Sequence, residues 1–258
     1  MHVLGKFKIG MMQPLGPGGP HPLSAMGFWA VAARQRGQYV AEPMCRVSTL
    51  LARGFNLLWA SIVEAIHTKG YTHGAMLHGD VCPAPGWLDV LFAEICRLDA
   101  DLVSVIIPVK DAKGLTSTAI GDPADIWRPV RRLTMREIYE RLPETFSIDD
   151  CIRAGLAEPG HQLWTNTGCW IANVRRPWAR AIDADGCLKV CFTIRDRIRW
   201  DGSKATVEVH PEDWGFARVL ANEGGRVYAT RKIRAVHAGE QFFPNDHAWG
   251  EWETDEEA

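Results

Sequence analysis

Asp80 follows a short apolar run, Gly74-Ala75-Met76-Leu77, that stops abruptly at His78. Pro83, Pro85 and Gly86 come next, and then an amphipathic segment begins. This reads as a buried strand running out at His78. Asp80 then lies just past its end, in the crevice where open α/β sheets bind ligands. A carboxylate there can hold a hard divalent cation, and such a cation usually bridges phosphate oxygens. The plainer reading is that Asp80 caps a turn and His78 packs. Two later stretches also put polar groups at element boundaries. Glu212 and Asp213 follow Pro211, where a helix can start, and an acidic pair suits the helix dipole. His237 follows the apolar end of a last strand, Arg226 to Val236.

The elements that must position these residues follow from periodicity. Lys6 to Met12 predicts a first strand, followed by a loop, Gln13-Pro14-Leu15-Gly16-Pro17-Gly18-Gly19-Pro20, that can continue no regular structure. Its glycine spacing matches neither a Walker nor a Rossmann loop. A helix is expected over Ser24 to Arg36 with Gly37 as its stop, and a second strand over Gln38 to Met44. Ser48 to Thr68 is the clearest helix, capped by Ser48, with Leu50, Leu51, Phe55, Leu58, Ile62, Ala65 and Ile66 on its apolar face. Arg53 and Asn56 share one side of it, either solvated or with Arg53 facing an anion near the first loop. Trp87 to Leu98 predicts another helix, and the apolar run within Asp101 to Val109 a strand covered on both faces. Residues 110–119 read as a polar loop.

This alternation argues for a mostly parallel sheet. It breaks at Asp122 to Gly160, which carries Arg128, Arg131, Arg132, Arg136 and Arg141 and reads as an insertion or lid with a short helix near Thr134 to Arg141. Further strands are expected over His161 to Val174, where Gly168 permits a close approach, over Val190 to Ile198, and over Ala205 to Val209. One domain over 1–258 accommodates all of this: a ligand-binding half at 1–121, the insertion at 122–160, a second half at 161–245 and an acidic tail at 246–258.

With 29 basic and 31 acidic residues, the formal net charge is -2, giving no global pull toward nucleic acid or membrane. Seven cysteines without a C-x-x-C pair argue against a disulfide framework or structural zinc and for a reducing, cytoplasmic setting. No run reaches transmembrane length, and the N-terminus lacks the layout of a signal peptide. Most of the 11 tryptophans are expected in the core.

The order of these features, with Asn166-Thr167-Gly168 and Glu212-Asp213-Trp214-Gly215-Phe216, resembles the nucleotide-sugar-dependent glycosyltransferases of the GT-A fold, especially the family-2-type group. The resemblance runs from about Lys6 to Phe243. It implies a Rossmann-like α/β fold and a metal-dependent, single-transfer enzyme. The donor would be a nucleotide-sugar, with UDP as the nucleotide. The family's Asp-x-Asp motif reads His78-Gly79-Asp80 here, so its first acid is replaced. By resemblance, Asp80 and His237 hold a divalent metal, Mn or Mg. Gln13, Pro14, Arg53 and His78 attend the donor. Asp213, or its neighbour Glu212, takes the acceptor proton. Asn166, Gly168, Trp170 and Trp214 wall the acceptor. The acceptor would be a saccharide or, if Arg128, Arg131, Arg132, Arg175, Arg176 and Arg180 form one basic surface, a hydroxymethylated base in DNA. Two rivals are a nucleotidyltransferase of similar architecture, against which the absence of a basic residue in the first loop weighs, and a non-catalytic binding module, which needs no base. The sequence does not give the oligomeric state.

Overall fold

In a computed structural model the described residues are 7–32, 38–111, 113–239 and 242–252. They form a mixed α/β structure with six α-helices around a large, mostly parallel central sheet. The first half comprises β1 (Phe7–Leu15), α1 (Pro22–Ala32), β2 (Tyr39–Val47), α2 (Leu51–Thr68), β3 (His73–Leu77), β4 (Val81–Pro83), α3 (Trp87–Leu98), β5 (Leu102–Val105) and β6 (Leu115–Gly121). The middle holds β7 (Pro129–Thr134), α4 (Met135–Arg141), β8 (Thr145–Phe146), α5 (Ile148–Arg153), β9 (Gln162–Trp164) and β10 (Cys169–Asn173). The remainder holds β11 (Arg195–Trp200), β12 (Ala205–His210), α6 (Glu212–Asn222), β13 (Val227–Thr230), β14 (Ala235–Ala238) and β15 (Phe242–Pro244).

The seven-stranded sheet has the order β2-β1-β3-β10-β5-β13-β8. β1, β2, β3, β5 and β13 run one way, and β10 and β8 run against them. β3 is buried along its whole length, as its apolar sequence requires. It ends at Leu77, so Asp80 emerges at the carboxyl pole of the parallel strands. Two glycines let α2 lie close on this sheet. A Cβ on Gly10 would sit 2.1 Å from Ile62 Cδ1, and one on Gly74 would sit 3.2 Å from Ile62 Cγ2. Two small sheets frame the carboxyl pole: β15-β14-β4 and β7-β6-β9.

Several expectations need correction. β1 continues through Gln13 and Pro14 to Leu15, so neither residue belongs to the loop. Beyond Met12 only β2 pairs with β1, and Pro14 removes no ladder bond to β3. α2 begins at Leu51 because the Ser48 hydroxyl accepts the Leu50 N–H and closes a turn instead of capping the helix. The run Val190 to Ile198 becomes a strand only from Arg195. Its first part is tied to α2: Asn56 Nδ2 donates to Phe192 O at 2.7 Å, Asn56 Oδ1 accepts from Phe192 N at 2.8 Å, and Trp59 Nε1 donates to Val190 O at 2.9 Å. The expected loop at 110–119 forms β6 from Leu115 onward. α1 is described from Pro22 to Ala32, and the rest of the expected helix, residues 33–36, with its expected stop, Gly37, lies outside the described residues, as do the first residue of the expected β1 and the last six of the acidic tail.

Residues 122–160 pack into the body of the protein. Thr134 and Glu137 cap α4 reciprocally, as a capping box does. Leu133, Ile138, Phe146 and Cys151 join the same core cluster as Leu58 and Trp59 of α2. All seven cysteines are unpaired.

Candidate functional site

β4 and β14 pair antiparallel, with Val81 opposite His237. That register carries His237 to the residue just past β3, and its Nε2 lies 3.2 Å from Asp80 Oδ2. His237 Nδ1 lies 2.8 Å from Pro108 O. A carbonyl accepts only, so Nδ1 donates to Pro108 O, and Nε2 faces the Asp80 carboxylate. Lys110 Nζ donates to the same Asp80 Oδ2 at 2.7 Å. Burial would raise the Asp80 pKa, but hydrogen bonds from His237 and Lys110 prevail and hold it below the ordinary carboxylate range.

The donor chemistry suits a hard divalent cation. Adjacent vertices of an octahedron with bonds of about 2.1 Å are about 3 Å apart, the spacing of these two donors. Among the described residues no group of three or more His, Cys, Asp or Glu side chains could hold a metal.

His78 is the inner wall. Its N–H donates to Gly168 O at 2.8 Å, and its carbonyl accepts from Ser24 Oγ at 2.8 Å. Its ring lies 4.7 Å from the Phe55 ring, centroid to centroid. Burial pushes its pKa down to about 4, outweighing the attraction of Asp80. The imidazole is therefore neutral, and its buried Nε2 has no partner among the described residues. Phe55 also places the first turn of α2, with exposed Arg53, at the carboxyl pole.

Asp213 lies in the first turn of α6 and accepts the N–H of Trp214 at 2.8 Å. Burial, then repulsion from Glu212, raises its pKa to about 8 despite that bond and the nearby Arg132. Burial also raises the pKa of Glu212. Trp214 Nε1 donates to Ser117 O at 2.8 Å, and the Arg132 guanidinium lies 4.9 Å from the Trp214 ring centroid. Asp213 makes no side-chain hydrogen bond to the Asp80–His237 pair. A narrow hairpin connects them. Val109 N donates to Leu115 O at 2.8 Å and Ser117 N to Ile107 O at 3.4 Å, with Pro108 bridged to Thr116. His237 holds the Pro108 limb and Trp214 the Ser117 limb.

Other residues expected at ligands bond or pack within the protein. Gln13 is buried, and its Nε2 donates to Ser24 Oγ at 3.1 Å. Asn166 spends both ends of its amide on the backbone, donating to Val105 O at 2.7 Å and accepting Gly168 N at 2.9 Å. Gly168 is needed for a close approach, since a Cβ there would sit 3.1 Å from Val81 Cγ2. Trp170 is fully buried, with its ring 5.4 Å from that of Phe216, and offers no acceptor surface. Trp214 is buried between Arg132 and Trp164.

The arginines weighed as one basic surface are divided. β10 runs antiparallel, with Cys169 opposite Leu77 and Asn173 opposite His73. Arg175, Arg176 and Arg180 follow Asn173 and so belong to the opposite pole from Asp80. Arg176 pairs there with Asp99 and Asp101. Arg128 is bound to Glu208 and Arg131 to Glu137.

Sequence reasoning missed Lys110, whose only signal was a lone lysine after the apolar strand run. It also passed over Thr165 and Thr167, whose buried hydroxyls flank Asn166 and have no partner among the described residues. A threonine on each side of a turn-forming asparagine was the available hint. None of the described helices is long and apolar enough to cross a membrane.

No protein-family model matches the chain, and no curated protein matches it. Among solved structures, A197 from STIV is similar over 96% of this chain and 99% of its own, with 13% identity and a TM-score of 0.49. A Bacillus anthracis protein assigned as a glucose-1-phosphate thymidylyltransferase, in complex with a sucrose, is similar over 70% of this chain and 81% of its own, with 9% identity and a TM-score of 0.32. Likenesses this weak fix neither family nor function.

Proposed function

We propose that the protein is a GT-A-like glycosyltransferase that moves a sugar from a nucleotide diphosphate, UDP by preference, to an acceptor hydroxyl with inversion. The observation that carries this reading is the meeting of Asp80 and His237 at 3.2 Å across 157 residues of chain, at the carboxyl pole of the sheet. A divalent cation, Mn or Mg, would be held by Asp80 and His237 and would supply charge neutralisation at the diphosphate.

The protein's own groups do the rest. Arg53 adds a positive contact to phosphate at the start of α2. Neutral His78 offers Nε2 to a polar donor group without adding charge. Asp213 accepts the proton of the acceptor hydroxyl as that oxygen bonds to the anomeric carbon, and the bond from that carbon to the diphosphate oxygen breaks. Its raised pKa suits a base for a weakly acidic hydroxyl. Asn166, Gly168, Trp170 and Trp214 brace the acceptor side from within the core. With the arginines divided between two poles and largely paired, a saccharide fits the acceptor role better than DNA.

Thermal-shift screening against nucleotide diphosphates, with and without Mn, tests donor binding. A ligand at roughly 100 times its dissociation constant should stabilise by about 2.7 kcal/mol. Incubation with the bound nucleotide's sugar conjugate, with and without added pyrophosphate, then separates the chemistries: release of the nucleoside diphosphate supports glycosyl transfer, whereas formation of nucleoside triphosphate and sugar 1-phosphate only when pyrophosphate is supplied indicates nucleotidyl transfer. No stabilisation by any nucleotide would contradict the proposal.

A further inference from the structure

Lys110 and His237 contend for one oxygen. Lys110 Nζ lies 2.7 Å and His237 Nε2 3.2 Å from Asp80 Oδ2. Asp80 Oδ1 makes no hydrogen bond to any described residue. The two partners differ in how firmly they are held. His237 is fixed from behind by Pro108 O, whereas Lys110 projects from the turn of the hairpin on a flexible four-carbon stem. That turn is pinned, because Asp111 Oδ1 accepts the N–H of Lys113 at 3.0 Å and of Gly114 at 3.2 Å. The lysine's base is therefore fixed while its charged end can swing. The side chains of Lys110 and Asp80 are 38% and 44% exposed, so both can be reached from solvent.

We propose that Lys110 is a built-in counter-cation that occupies the ion's side of Asp80 until donor arrives and then binds a phosphate oxygen of that donor. This rests on the Asp80–His237 reading above. An ion approaching Asp80 and His237 must displace an ammonium from the carboxylate oxygen that faces His237. An ion arriving with a diphosphate brings oxygens that accept from the displaced ammonium, so the pair is exchanged rather than merely broken. Ion and nucleotide binding are thereby coupled, and each strengthens the other by the same factor. Lys110 is the residue that sets that coupling.

Titration calorimetry tests this with Mn and UDP as probes, on wild type, Lys110→Met and Lys110→Arg. Lys110→Met should bind Mn about tenfold more tightly without nucleotide, and UDP about tenfold more weakly at saturating Mn. Lys110→Arg keeps the charge and should bind UDP close to wild type. Unchanged Mn and UDP affinities in Lys110→Met would overturn the role of Lys110, and leave the Asp80–His237 reading standing if wild type forms the ternary complex. If neither protein binds Mn with UDP, both fall. Melting temperatures within a degree or two of each other, as expected for a change on an exposed turn, exclude misfolding as the cause.

Discussion

His237 Nδ1 bonds Pro108 O at 2.8 Å and Trp214 Nε1 bonds Ser117 O at 2.8 Å, so one hairpin is held on one limb by the histidine that meets Asp80 and on the other by the neighbour of Asp213. This relationship sets the distance between the diphosphate end and the base end of the proposed site. It does so through backbone carbonyls, which side-chain substitutions at the hairpin leave in place.

Asp213→Asn should lower kcat by roughly 10²- to 10⁴-fold while leaving UDP affinity unchanged. Single-turnover transfer and calorimetry on the same preparation check both halves. A full transfer rate in the variant would shift the role to Glu212 or remove it.

The pH dependence follows from the raised pKa. With Asp213 titrating near 8, the wild-type rate should climb as pH rises toward 8 and level off above it, and Asp213→Asn should lose that limb. A pH–rate profile for kcat/KM from pH 6 to 9 decides this.

Stability carries the same group with a definite sign. An Asp whose folded pKa is about 8 keeps its proton when folded and loses it near 4 when unfolded, so the folded state binds more protons between those values. Wild-type stability should therefore lose ground as pH rises from about 4 to about 8. Asp213→Asn, which cannot ionise, should be progressively more stable than wild type over that window, as read from denaturant midpoints. A constant difference across the window would show that Asp213 is not perturbed by burial.

Asn166→Ala should destabilise the protein by about 1–3 kcal/mol, because it strands the buried Val105 carbonyl and Gly168 N–H. Trp170→Ala should cost more, about 3–5 kcal/mol, as a cavity in the core beside Phe216 and Phe192. Denaturant unfolding measures both. Neutralising Arg175, Arg176 and Arg180 should leave acceptor binding and its salt dependence unaltered, since these residues lie at the opposite pole.

The sequence disclosed what periodicity and punctuation encode. The bounds of α3, Trp87–Leu98, are those expected, and β3 ends one residue before His78 as its apolar run suggested. The encounter of Asp80 with His237 was legible only as order along the chain, because the β4–β14 register that joins them is set by pairing between strands of four residues or fewer. Where residues expected at a ligand sit inside the protein instead, one cause recurs. Gln13, Asn166 and Trp170 have polar groups suited to ligands, yet each is inside, where Gln13 and Asn166 bond neighbouring elements and Trp170 packs on aromatic rings. Val190 to Phe192 alternates like a strand because one side packs on the core, but side chains of α2 take its backbone bonds. Burial and partner choice are properties of the assembled chain, and local pattern does not carry them.

The central claim is that Asp80 and His237 together hold the ion that binds the donor diphosphate. Calorimetric titration of UDP into wild type, Asp80→Asn and His237→Ala, each with saturating Mn and again with excess EDTA, tests it most directly. The expected result is tight binding to wild type only with Mn, weakened at least about tenfold by either substitution. Equal UDP affinity in all three proteins, unaffected by EDTA, would contradict the account.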